Sequence, residues 1–143
     1  MVPARVSLVT LGVTDFRRSL TFYRSLGWTT AIEADDFAVL ETAGSYVALY
    51  PQEDLSRDLG EPVPEGLTRR STLAINVGSR EEVDQYVAEF VAAGASLLQA
   101  PTAVEWGGYT SLVADPDGHP WEVAHNPGWP LDERGLPHIP KDG

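Results

Sequence analysis

VSLVTLGVTDFRRSLTFYRSLG, residues 6–27, decides the fold once it is set beside STLAINVGSREEVDQYVAEFVAAG, residues 71–94. Each stretch carries an apolar strand, Val6 to Val13 in the first and Leu73 to Val77 in the second. Each then supplies a helix cap, Asp15 or Ser79, whose side-chain oxygen accepts from a free N–H of the first helical turn. Ser79 with Glu82 three residues later forms a capping box. Apolar positions then recur at helical spacing: Phe16, Leu20, Tyr23 and Leu26 in one copy, Val83, Val87, Phe90 and Val91 in the other. Each helix stops at a glycine, Gly27 or Gly94, which enters the left-handed C′ position without strain. A strand–helix unit of this size cannot bury its own apolar face, so two copies predict a paired architecture with a cavity between equivalent elements.

The rest of the chain fills in each copy. Strands are predicted over about 28–34, 37–43 and 45–50, with turns at Asp35-Asp36 and Gly44-Ser45. Residues 52–70 carry Gly60, Pro62, Pro64 and Gly66 among charges and read as a linker, with one helical turn near Leu55. The second copy opens with a strand over about 71–77. After its helix come strands over about 96–100, 109–114 and 120–125, the last two joined by the tight turn Asp115-Pro116-Asp117-Gly118. From 128 to 143 the chain is rich in Pro and Gly and is expected to lie extended on the surface. The order is βαβββ, linker, βαβββ. This is an α+β fold in a single domain, module one over about 5–51 and module two over about 71–127. Each module makes a curved, mostly antiparallel sheet with its helix on the convex side, and the two sheets enclose a groove.

Composition limits what the groove can do. A formal charge of −11 argues against nucleic acid, whose phosphates need clustered Lys and Arg. An acidic surface could attract a cationic ligand, but the plainer reading is that the charge only keeps the protein in solution. Cysteine is absent, which excludes disulfides, zinc–thiolate sites and thiol nucleophiles. No apolar run approaches the ~20 residues that span a bilayer, and the N-terminus enters a patterned strand without a signal peptide. A cytoplasmic protein is expected. No glycine loop precedes a helix to cradle phosphate, and no Gly-x-Ser-x-Gly elbow occurs.

Three stretches together resemble the vicinal oxygen chelate superfamily, the glyoxalase/bleomycin resistance/dioxygenase fold. They are Leu8 to Asp15 with Phe22 to Trp28, Ser79 to Ala95, and Trp106 to Tyr109 with Ala114 to Val123. The resemblance runs over about residues 5–127, and its most specific part is the Asp-Pro-Asp-Gly turn before an apolar-Glu-apolar strand. Enzymes of that superfamily usually hold one divalent metal, with ligands on the first and last strands of each copy. Carried over to this chain, those positions fall on Leu8, Ala48, Thr72 and Glu122. Only Glu122 keeps a metal-binding side chain. Leu and Ala offer no donor, a lone Thr hydroxyl is a poor one, and a divalent ion needs several. His119 falls in a turn and His138 in the tail. His125, three residues after Glu122, is sent to the opposite face by strand alternation. No metal and no other cofactor is expected; a divalent metal enters only if these ligand positions are misassigned.

Alternation also predicts the lining. Leu8, Thr10 and Gly12 face the groove, as do Thr72, Ala74 and Asn76, with Tyr46, Ala48, Tyr50, Glu122 and Ala124 opposite and Trp106 and Tyr109 near the mouth. Taken singly, each aromatic is better explained by core packing; their clustering on inward faces suits a flat or amphipathic organic ligand. Trp28 and Trp121 read as structural. Two functions follow from the resemblance. One is capture of an aromatic or cationic small molecule by a homodimer without catalytic metal, as antibiotic-sequestering, bleomycin-resistance-like members do. The other is an enzyme. It is either a metal-independent isomerase, lyase or cyclase with Glu122 as acid/base and Tyr46, Tyr50 or Tyr109 as hydrogen-bond donors, or a metal-dependent lyase or dioxygenase. A regulatory role with no ligand is the third reading, which a groove filled by its own side chains would favour.

Overall fold

A computed structural model describes residues 1–67 and 70–141. Positions 68–69 of the expected linker and 142–143 of the expected tail lie outside them. The chain divides into two compact units, residues 1–64 and 65–143.

The first unit is β1 (Leu8–Val13), α1 (Phe16–Ser25), β2 (Thr30–Glu33), β3 (Ala38–Leu40), β4 (Tyr46–Pro51) and α2 (Gln52–Leu59). Its four strands form one mixed sheet in the order β1-β4-β3-β2. β1 and β4 run parallel, because the crossover through α1 returns the chain in the same direction; the other pairs are antiparallel. Asp15 caps α1, its carboxylate accepting from the Arg18 N–H at 3.1 Å, and Gly27 leaves the helix at φ 88°. The helix buries Leu20, Phe22 and Tyr23. Leu11, Val13, Val47, Leu49, Ala38 and Leu40 are buried on one face of the sheet, in register with one another. Each such aliphatic side chain contributes roughly 1.5–3 kcal/mol on leaving water. Trp28 packs against Tyr23, ring centroids 5.5 Å apart.

The second unit repeats the plan: β5 (Leu73–Asn76), α3 (Arg80–Ala92), β6 (Ser96–Ala103), β7 (Tyr109–Ala114) and β8 (Pro120–His125), in the order β5-β8-β7-β6 with β5 and β8 parallel. Ser79 caps α3 by accepting from the Glu82 N–H at 3.1 Å. The helix buries Val83, Val87 and Phe90 and lies along β6, β7 and β8. Val113, Trp121 and Val123 are buried, and the buried Ser111 hydroxyl donates to the Val123 carbonyl at 2.8 Å. In the β7–β8 turn, Asp115 Oδ1 accepts from the N–H groups of Asp117 and His119, both at 2.9 Å.

Some boundaries differ from the sequence reading. β1 starts at Leu8 rather than at Val6, and β5 starts after Thr72. β3 is cut short because Thr42 turns the chain, its hydroxyl donating to the Ser45 carbonyl. β6 extends to Ala103 and passes through Pro101, which an edge strand tolerates since it need not donate on its open side. It carries two register irregularities against β7. The single turn expected near Leu55 is a helix of eight residues. The tail expected to run extended turns back on itself instead. Leu131 bridges Pro137, and Asp132 Oδ1 accepts from the N–H groups of Arg134 at 2.8 Å and Leu136 at 3.0 Å.

Candidate functional site

In the first unit, the face turned away from the buried row carries the predicted residues. Paired strands place residues in register on one face, so Leu8 meets Tyr46, Thr10 meets Ala48 and Gly12 meets Tyr50. Val39 continues the Ala48 row on β3. Leu8 is 46% and Tyr46 48% exposed, while Ala48 is 1% exposed. Tyr50 is half-buried, with its ring edge-on to Phe37 at 6.1 Å. Its hydroxyl donates to Asp58 Oδ2 at 3.0 Å. That hydrogen bond, followed by desolvation and the charges of Asp58 and Asp54, raises the Tyr50 pKa above its ordinary value; Arg57 opposes the shift.

Asp58 belongs to α2, which the chain lays across the end of this face. A side chain on Gly12 would meet Leu55 Cδ2 at 3.0 Å and the Gln52 backbone at 3.7 Å. Asp58 does not emerge from strand alternation, because it sits on a helix inside the expected linker; Phe37 shares the parity of Val39 in the strand predicted over about 37–43 but is not among the predicted lining residues.

In the second unit, Glu122 stands half-buried on β8, between Ala74 on β5 and Leu112 on β7. Asn76, Ala124 and Thr110 form the next row on the same face. Thr72 lies exposed just before β5. His125 is on the opposite face, its Nδ1 3.0 Å from the Val77 carbonyl oxygen. Tyr109 is opposite too: it pairs with His125, and its hydroxyl donates to Asp84 Oδ1 on α3 at 2.8 Å. The Arg80 guanidinium lies 5.2 Å from the centre of its ring. The bond to Asp84 leads the causes that raise the Tyr109 pKa, with burial next. So Tyr109 is not brought together with Glu122. The turn signals carry that placement: with Ala114 paired to Pro120 across the Asp-Pro-Asp-Gly turn, Leu112 must face Glu122 and Tyr109 must face His125. Trp106 is at the tip of the β6–β7 connection, 60% exposed, with its ring over Gly108.

The two units repeat one register. Ala48 pairs with Thr10, two residues after Leu8; Glu122 pairs with Ala74, two residues after Thr72. These positions are chemically poor for a divalent cation. Glu122 is flanked by Ala74 and Leu112, which have no donor atoms in their side chains. Among the described residues, no three His, Cys, Asp or Glu side chains gather to share an ion. Neither unit's own donor set fits such an ion. No helix among the described residues is long and apolar enough to cross a membrane.

Comparison with known proteins agrees with the fold. The chain is similar to a glyoxalase-related enzyme from Fulvimarina pelagi, with 33% identity over 96% of this chain and 99% of that one and a TM-score of 0.88. A glyoxalase/bleomycin resistance protein/dioxygenase family enzyme from Burkholderia phytofirmans is 24% identical, with 85% and 98% coverage and a TM-score of 0.74. Lactoylglutathione lyase from Agrobacterium tumefaciens, 19% identical over 92% and 100% of the two chains, has a TM-score of 0.69. The last two likenesses speak for the fold alone. No curated protein matches the chain. The family model for the Glyoxalase/Bleomycin resistance protein/Dioxygenase superfamily matches residues 5–123, from ahead of β1 into β8. Two βαβββ units in one register, matched over that length, make the chain a member of this superfamily.

Proposed function

We propose that this protein captures a small aromatic or cationic molecule, in the manner of bleomycin-resistance members, and does so without a catalytic metal. The observation that carries the reading is that both strand partners of Glu122, Ala74 and Leu112, lack donor atoms in their side chains. A carboxylate so placed suits a cationic group or a hydroxyl of a ligand better than an ion that needs several donors. The net charge of −11 favours a cation; within the first unit, the exposed Leu8 and Tyr46 are apolar and aromatic surface of a kind that suits a flat ring.

The test is thermal shift against a panel of cationic aromatic compounds, followed by binding to Glu122→Gln. Loss of a charged hydrogen bond weakens a cationic ligand by roughly tenfold or more, while a neutral aromatic keeps its affinity. A stoichiometric transition metal in protein purified without chelator overturns the reading. A homodimer is its working form, so sedimentation velocity at micromolar protein is expected to give twice the mass of one chain; a monomer at every concentration removes that part.

An enzyme is the second reading, favoured because the 33% identical relative from Fulvimarina pelagi is named an enzyme. Glu122 would then move a proton. Glu122→Gln separates the two: turnover lost with affinity for a neutral substrate kept supports the enzyme, and loss of cationic binding alone supports capture.

A further inference from the structure

Helix α2 is tied to the first unit by little. It has eight residues, a length at which a helix is marginal in water without tertiary support. Its N-cap is Pro51, which makes no side-chain bond, and none of its residues is buried. The strand it follows is different: Val47, Ala48 and Leu49 of β4 are all buried. Leu55 touches the space where Gly12 has no side chain. Gln52 Nε2 donates to the Val63 carbonyl at 3.1 Å, and Ser56 Oγ accepts from the Val63 N–H at 2.9 Å. The segment from 61 to 63 is therefore fastened to the helix and travels with it. Prolines stand at both ends of this body, Pro51 and Pro64, and neither has an N–H with which to tether it. The hydrogen bond from Tyr50 to Asp58 crosses from sheet to helix.

We propose that α2 is a hinged cover on the Gly12–Tyr50 face, latched by the Tyr50–Asp58 hydrogen bond, and that it opens while the sheet stays folded. Opening breaks that bond and parts Leu55 from Gly12. Once lifted, a helix of eight residues has lost its tertiary support and frays, so its own N–H groups meet water. What is uncovered is a phenol beside bare backbone, a surface against which a planar ring can lie. The bearing on ligand capture rests on the proposed function; the motion itself does not.

Native-state hydrogen exchange of the protein alone tests the motion. Amides of residues 56–60 are expected to exchange faster than those of β1 and β4, since locally held segments open below the global unfolding free energy. Asp58→Ala sharpens the test. Alanine is the better helix former, and the substitution removes a carboxylate from the C-terminal end of a helix, where the dipole disfavours it. Both effects slow opening. If the latch operates, its loss outweighs them and exchange at 56–60 quickens by about two- to fivefold, the weight of one modest hydrogen bond, with β1 and β4 unchanged. Unchanged or slower exchange at 56–60 overturns the proposal. So does wild-type exchange at 56–60 as slow as that of β4. Gly12→Val, which fills the space under Leu55, is expected to hold the cover open with β4 still protected; loss of β4 protection as well overturns the proposal. Because no ligand is added, these outcomes are independent of whether capture occurs.

Discussion

Two tyrosines, one in each unit, are held in the same way by a helical carboxylate: Tyr50 donates to Asp58 and Tyr109 to Asp84. A phenol that donates to a carboxylate resists losing its proton, because the phenolate would face a like charge at hydrogen-bonding distance. Both pKa values are raised from the ordinary 10.0, with that hydrogen bond as the leading cause. The sign for stability follows. Between the unfolded value near 10 and the higher native value, the native state holds more protons than the unfolded chain, so stability falls as pH climbs through that window. Ultraviolet titration is expected to show these phenols ionising later than free tyrosine. Replacing Asp58 with Ala should return Tyr50 towards the ordinary value, and an unshifted titration in that variant counts against the bond.

At the level of elements, the β7–β8 turn fixes more than a reversal. Gly118 sits at φ 88°, and a Cβ there would lie 2.4 Å from the Gly66 carbonyl oxygen. Gly118→Ala therefore strains the backbone and also pushes on the segment seated against the turn. A loss of about 1–3 kcal/mol is expected in urea unfolding, and a change below about 0.5 kcal/mol refutes the close approach. This turn was legible in the sequence, as were the caps Asp15 and Ser79 and the stops Gly27 and Gly94, because each solves a local backbone problem with a side chain or with its absence. Which residues of β1 and β4, and of β5 and β8, share a face was legible from alternation. Helix α2 was not. Its eight residues sit between Pro51 and Gly60 with too few apolar positions to declare a periodicity, and it is completed by contacts with Gly12 and Val63 that no local pattern encodes. Tyr109 shows a different limit. Its position near a glycine pair suggested a mouth, whereas the parity of β7 sends it to the helix side, where Asp84 and Arg80 hold it.

At the scale of the whole chain, a charge of −11 sets the field in which any ligand arrives. If the ligand is a cation, its association should slow as salt rises. Exposed charges are screened beyond about 10 Å at 0.1 M ionic strength, so raising sodium chloride from 20 mM to 0.5 M is expected to lower the association rate by roughly tenfold. A rate indifferent to salt would assign the charge to solubility alone. One further property belongs to β6. A long strand at the border of its sheet invites other copies to add on, and stacking of that kind seeds fibrils. Pro101 withholds a donor midway along β6, and two breaks in its pairing interrupt the regular spacing that a docking strand must match. Pro101 and these breaks thus make β6 a poorer template for an added strand than an unbroken edge of the same length.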